Sequence, residues 1–191
     1  MHSLKKLALG ISLLATGAAA NAATLSLIPS DTSIILNDSV SLDVVISGIG
    51  STSVGGFQLD LDFNDAVVSL DNYSFSSYLG APSSIFDASN PVDSDTFTLA
   101  VTSLLPPGGF NQPDSFSLAT LNFTGIGLGE SLFSAGNILV SDDFALYEID
   151  ITSVSGASVE VNPVPVPAAF WMLGSGLFAL YGIRRKSNKT A

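Results

Sequence analysis

Across residues 56–63 the chain alternates strictly, with Phe57, Leu59, Leu61 and Phe63 apolar and Gln58, Asp60 and Asp62 polar. A period of two places each set on one face of an extended backbone, so this segment reads as a half-buried strand with one wet side. Val40, Leu42, Val44 and Ile46 repeat the pattern, as do Phe97, Leu99 and Val101, and later Val159 with Val161. In residues 116–123 the apolar parity changes between Leu118 and Leu121, which predicts a bulge or a strand covered on both faces. Turn-rich pieces separate these runs: Asn37-Asp38, residues 47–55, 80–95, 104–114 with Pro106-Pro107-Gly108-Gly109, and 125–130. No window of a dozen residues among them reads as a helix. Short strands at this spacing predict an all-β fold, a two-layer antiparallel β-sandwich.

That sandwich occupies residues 23–163, between two segments of different character. Residues 1–22 have the three parts of a secretory signal: Lys5 and Lys6, an apolar core over residues 7–15, and the small-x-small site Ala20-Asn21-Ala22. Residues 164–183 carry no charge, and at about 1.5 Å per residue such a helix spans roughly the 30 Å of a bilayer core. Arg184, Arg185 and Lys186 follow directly, which predicts a cytoplasmic tail and a sandwich on the outer side. The expected arrangement is a signal helix, an ectodomain and, over residues 164–191, a proline motif, a transmembrane helix and a basic tail, exported through the Sec machinery.

Charge is divided just as sharply. All six basic residues lie in the terminal segments, and all seventeen acids lie between Asp31 and Glu160. A domain so anionic repels nucleic acid and anionic headgroups, leaving divalent cations or basic partners as the charged species it attracts. The sole histidine is His2 and there is no cysteine. Residues 23–163 therefore lack a Ser-His dyad, a Ser-Lys pair and a thiolate, and paired carboxylates such as Asp60/Asp62 or Asp142/Asp143 are the remaining route to catalysis. Those acids fall at polar strand positions and turn tips, so a non-catalytic domain with no resident cofactor is expected.

Two ligand chemistries have candidate residues. Asp60, Asp62 and Asn64 alternate like the first ligands of a calcium loop and Asp71 falls at its twelfth position, although Asp65 stands where that loop needs Gly. Asn64-Asp65, Asp93/Asp95 and Asp142-Asp143 are further acidic turns for Ca2+. Glycan contact needs aromatic platforms, and the one Trp, Trp171, belongs to the apolar segment. Tyr73, Tyr78 and Tyr147 remain; Tyr73 alternates with Phe75 as a core residue does, and Tyr78 sits in a Ser- and Gly-rich stretch suited to exposure.

The run Val164-Pro165-Val166-Pro167-Ala168-Ala169, with Trp171, Gly174-Ser175-Gly176 and the Arg184-Arg185-Lys186 cluster, resembles the PEP-CTERM sorting signal of Gram-negative bacteria that secrete exopolysaccharide. Val166 stands where that family usually has Glu between two prolines. The resemblance implies handling by an exosortase, a membrane-embedded cysteine protease or transpeptidase that cuts near the proline motif; a permanent single-pass anchor is the alternative. It also implies an inner-membrane intermediate, then the cell surface or matrix, with a structural or adhesive role beside exopolysaccharide or a surface protein.

Residues 54–68 and the segment Leu118-Ala119-Thr120-Leu121-Asn122-Phe123, followed by Gly129-Glu130-Ser131 and the Val159–Val161 ending, resemble the cohesin sandwiches related to carbohydrate-binding modules. This implies a jelly-roll topology and, as the alternative function, a carbohydrate- or protein-binding module of cohesin type.

Overall fold

The computed structural model describes residues 23–144, 146–165 and 172–173. The signal segment, most of the apolar C-terminal stretch and the basic tail lie outside the described residues. Among the described residues no helix is long and apolar enough to cross a membrane.

One sheet contains β1 (Ala23–Pro29), β3 (Ser39–Ser47), β5 (Val68–Phe75), β9 (Ser115–Gly125) and β11 (Ile151–Ser155), in the order β11-β1-β3-β9-β5. The other contains β2 (Ser33–Ile35), β4 (Val54–Asp62), β6 (Ile85–Asp87), β7 (Asn90–Pro91), β8 (Thr96–Ser103), β10 (Gly129–Asp142) and β12 (Ala157–Asn162). Its order is β2-β12-β10-β4-β8-β6, with β7 also on β8. The inward residues foreseen from the alternation meet between the sheets: Leu42, Val44, Leu59, Leu61, Leu99 and Val159 are each buried. Phe123 sits at the centre, edge-on to Phe63 from one side and to Phe133 from the other.

The parity change in residues 116–123 is a bulge. Val44 pairs with Ala119 and Val45 with Ser117, so Leu118 is skipped, and Leu118 and Ala119 are both buried. A second bulge interrupts β10, where Gly136 pairs with Asp60 and Leu139 with Gln58. Asn137, inside it, takes a left-handed φ of 46°, a conformation Asn tolerates better than most residues.

Pairing departs from the expected antiparallel pattern in two places: β1 and β11 run parallel, and so do β2 and β12. The reason is connectivity. The first segment leaves one sheet after β1 and joins the other as β2, and the last segment does the same from β11 to β12 beside it. Two strands that cross between layers side by side in the same direction must pair in parallel. The turn-rich residues 80–95 also differ from expectation, since β6 and β7 are too short to show a period.

Candidate binding surface

The wet side of β4 is the outer face of the seven-stranded sheet. Alternation places Asp60 and Asp62 there, and the antiparallel register sets Thr98 and Thr96 of β8 directly opposite them. Thr98 Oγ1 donates to Asp60 Oδ1 at 2.5 Å and Thr96 Oγ1 to Asp62 Oδ1 at 2.8 Å. From the other side, the bulge in β10 brings Asn137 Nδ2 to 2.6 Å from Asp60 Oδ2, and Ser134 Oγ reaches Asp62 Oδ2 at 3.5 Å. Donation first from Asn137 and then from Thr98 holds the Asp60 carboxyl below its usual value, against a smaller opposing effect of burial. The carboxylates are thus fixed on the face by neutral donors.

Around this polar centre the face is apolar. Leu139, opposite Gln58, is 50% exposed, Phe86 of β6 is 63% exposed and Leu132 of β10 is 66% exposed. Phe86, Leu139, Gln58, Ala100 and Thr102 line a shallow hollow of about 200 Å³. The five-stranded sheet presents a different outer face. Thr120 Oγ1 donates to Asp43, Thr124 Oγ1 to Asp71 at 2.7 Å, Asn122 Nδ2 to Asn72 Oδ1 at 2.8 Å, and Ser47 and Ser115 share a bond of 2.7 Å. Its exposed large aliphatic is Ile28 of β1, opposite Asp43; Val154 of the edge strand β11, 42% exposed, pairs with buried Leu25 and so belongs to the inward side.

The calcium-like spacing is not a calcium loop here. A strand sends Asp60 and Asp62 to one side, where hydroxyl and amide donors occupy them, whereas Asn64 turns back to cap its own turn by accepting from the Ala66 amide at 3.1 Å. Asp65 is exposed at that turn. Among the described residues no three Asp or Glu side chains converge as metal ligands. Asp93 and Asp95 do meet, and their shared hydrogen bond lowers the first and raises the second from the ordinary carboxylate value. Asp142, the last residue of β10, and Asp143, in the turn that follows it, take separate partners. Buried Asp142 accepts from the amides of Leu146 and Tyr147 at 3.0 and 3.3 Å, and Asp143 Oδ2 accepts from Gly108 N at 2.9 Å.

Tyr78 is 44% exposed, with its ring edge-on to Phe116 at 5.3 Å; Tyr147 is more open at 73%. Tyr73 packs against Phe75 and Phe97, as its alternation predicts. Of the sorting residues, Val164 and Pro165 are exposed beyond β12, and Val166, Pro167, Arg184, Arg185 and Lys186 lie outside the described residues. Two side chains not singled out from sequence are structurally central. Asn137 reaches Asp60, and Gln112 bonds both polar groups of Val54 and the Tyr78 carbonyl, at 2.7, 2.9 and 3.1 Å. An Asn beside Gly136 in an otherwise apolar-polar run was the visible trace of the first; nothing local marks the second.

The Tyr73 hydroxyl donates to Asp87 Oδ2 at 2.9 Å. Burial, and then this bond to a carboxylate, push the hydroxyl above its ordinary value. Burial works against ionised Asp87, but donors from Ser89 and Tyr73 outweigh it and hold its carboxyl low. The Tyr73 contribution is therefore complete below pH ~10 and fades above it, while that of Asp87 is complete above pH ~4 and fades below. Tyr73→Phe is expected to cost roughly 0.5–1 kcal/mol at pH 7, less than a buried pair because Asp87 is exposed. In urea titrations the gap between wild type and variant should narrow at pH 3 and at pH 11; a gap independent of pH refutes the assignment.

No protein-family model matches the chain, and no curated protein does. Solved structures do. A cohesin module from a family 33 glycoside hydrolase of Clostridium perfringens is 16% identical, with a TM-score of 0.59 over 75% of this chain and 99% of the module. The sixth cohesin of scaffoldin B from Acetivibrio cellulolyticus, solved in complex with a Cel5 dockerin mutant, is 16% identical at a TM-score of 0.61, covering 73% of this chain and 99% of its own. A type I cohesin from Pseudobacteroides cellulosolvens gives 0.61 at 10% identity, over 75% and 96% of the two chains. At such identities the likeness is one of fold: the described strands between Ala23 and Asn162 form a cohesin-like β-sandwich.

Proposed function

We propose that the chain is an exported, non-catalytic protein-binding module of cohesin type, whose partner docks on the outer face of the seven-stranded sheet. The inequality of the two outer faces carries this reading. One is a closed lattice of short polar side chains; the other surrounds fixed carboxylates with Phe86, Leu132 and Leu139 standing open to solvent. Exposed aromatic and aliphatic anchors beside ordered polar groups are what a protein interface uses. Asp60, Asp62 and Glu130, with no cation anywhere in residues 23–163, favour a partner surface that is basic around an apolar centre. Cohesins solved with dockerins offer a precedent for the fold.

The terminal segments support export through the Sec machinery and delivery by an exosortase acting near Val164-Pro165-Val166-Pro167. A module so delivered would work at the surface or within the exopolysaccharide matrix, joining another component to it.

The test is affinity capture from the producing cell's envelope with the full-length chain in detergent, followed by titration of the captured protein. Phe86→Ser/Leu139→Asp should weaken the Kd at least about tenfold, the effect of losing roughly 1.4 kcal/mol at two anchors. Ile28→Ser, on the outer face of the other sheet, should leave it unchanged. Equal affinities for all three proteins, or equal losses in both variants, would overturn the docking face.

A further inference from the structure

The end of the sandwich from which the chain leaves β12 carries an ordered loop with two open aliphatic side chains. Gly125 and Gly129 bracket this loop, and it lies against the last strand. Gly129 pairs with Val161, and a Cβ on Gly125 would come within 3.0 Å of Val161 Cγ1. The Asn37 amide donates to the Gly125 carbonyl at 2.8 Å, and the Leu36 amide to the Asn162 carbonyl at 2.9 Å. On its other side the loop is clamped to the turn after β4, with Ile126 N and Gly127 N donating to the Val67 carbonyl at 2.8 and 3.1 Å. Despite this anchored backbone, Ile126 is 52% and Leu128 58% exposed.

Only Pro163 separates the end of β12 from the uncharged run of residues 164–183, whose first two residues, Val164 and Pro165, are exposed. These three residues, fully extended, reach at most about 10 Å. Whatever surface that run enters therefore lies within about one strand-spacing or two of this loop. We infer that this end of the sandwich seats on a phospholipid surface, with Ile126 and Leu128 entering the headgroup layer. The inference rests on reading residues 164–183 as a membrane span. Exposed carboxylates border the loop at Asp38, Asp65 and Glu130, so the surface it fits has neutral headgroups; anionic lipid opposes the seating.

The chain has no cysteine, so a single introduced thiol reports one position. Full-length protein carrying Leu128→Cys, Ile126→Cys or Leu104→Cys is labelled with an environment-sensitive fluorophore and reconstituted into phosphatidylcholine vesicles. Leu104, 63% exposed between β8 and β9 at the opposite end, is the reference. Labels at Ile126 and Leu128 should shift to the blue, be quenched by spin-labelled lipid, and resist aqueous acrylamide at least threefold better than the label at Leu104. Replacing a third of the lipid with phosphatidylglycerol should reduce that protection. A chain that floats with the vesicles but shows equal quenching at all three positions overturns the seating and leaves the span intact. Failure to float overturns both, and protection that grows with phosphatidylglycerol overturns the neutral-surface assignment.

Discussion

Phe123→Ala is expected to lower the unfolding free energy by about 3–5 kcal/mol. Phe123 belongs to β9 and is fully buried, with ring centroids 5.2 Å from Phe63 and 5.1 Å from Phe133. Phe133 comes from β10 and Phe63 lies just beyond the end of β4, both on the other sheet's side, so the ring bridges the two layers. Its removal forfeits transfer free energy and two edge-on contacts of roughly 0.5–1.5 kcal/mol each, and leaves a cavity that strands from two hydrogen-bonded sheets cannot close. Against a total stability of about 5–15 kcal/mol, the variant should sit near its unfolding midpoint at moderate urea. A loss under about 1 kcal/mol, read from far-ultraviolet dichroism in urea, would show that the sheets do not meet there.

Gly127→Ala should cost about 2–3 kcal/mol. A Cβ at this position would stand 2.1 Å from the Ala66 carbonyl oxygen, and a carbonyl held in a turn cannot swing aside as a flexible side chain does. Gly→Ala ordinarily stabilises by roughly 0.4–1 kcal/mol where backbone and space permit, so the sign of the change is informative. The Ile126 amide, now bonded to Val67, should exchange its hydrogen much faster in the variant. A neutral or stabilising result would mean that the loop is not packed on the turn after β4.

The strands legible from sequence are those whose two faces meet different solvents. β4, β3 and β8 each bury one side, so the period of two survives, and the bulge in β9 announced itself as a break in that period. The 14-residue β10 was concealed for two physical reasons. Its bulge at Asn137 resets the parity, and Leu132 and Leu139 put apolar residues on the outward face. Those same outward residues form the candidate surface, so what obscured the strand is what marks its role. The direction of the β1–β11 and β2–β12 pairs leaves no trace in periodicity, since a strand alternates identically in either sense. Asp60, Asp62 and Asn64 imitated a metal loop because every-second-residue spacing also describes one side of a strand.

The short Ser, Thr and Asn donors that hold Asp43, Asp60, Asp62 and Asp71 carry no charge of their own. Dissolved ions therefore mute the mutual repulsion of the carboxylates without weakening any ammonium or guanidinium attraction within residues 23–163, because there is none to weaken. The sandwich is built to tighten in brine, where a domain laced with opposite charges would slacken.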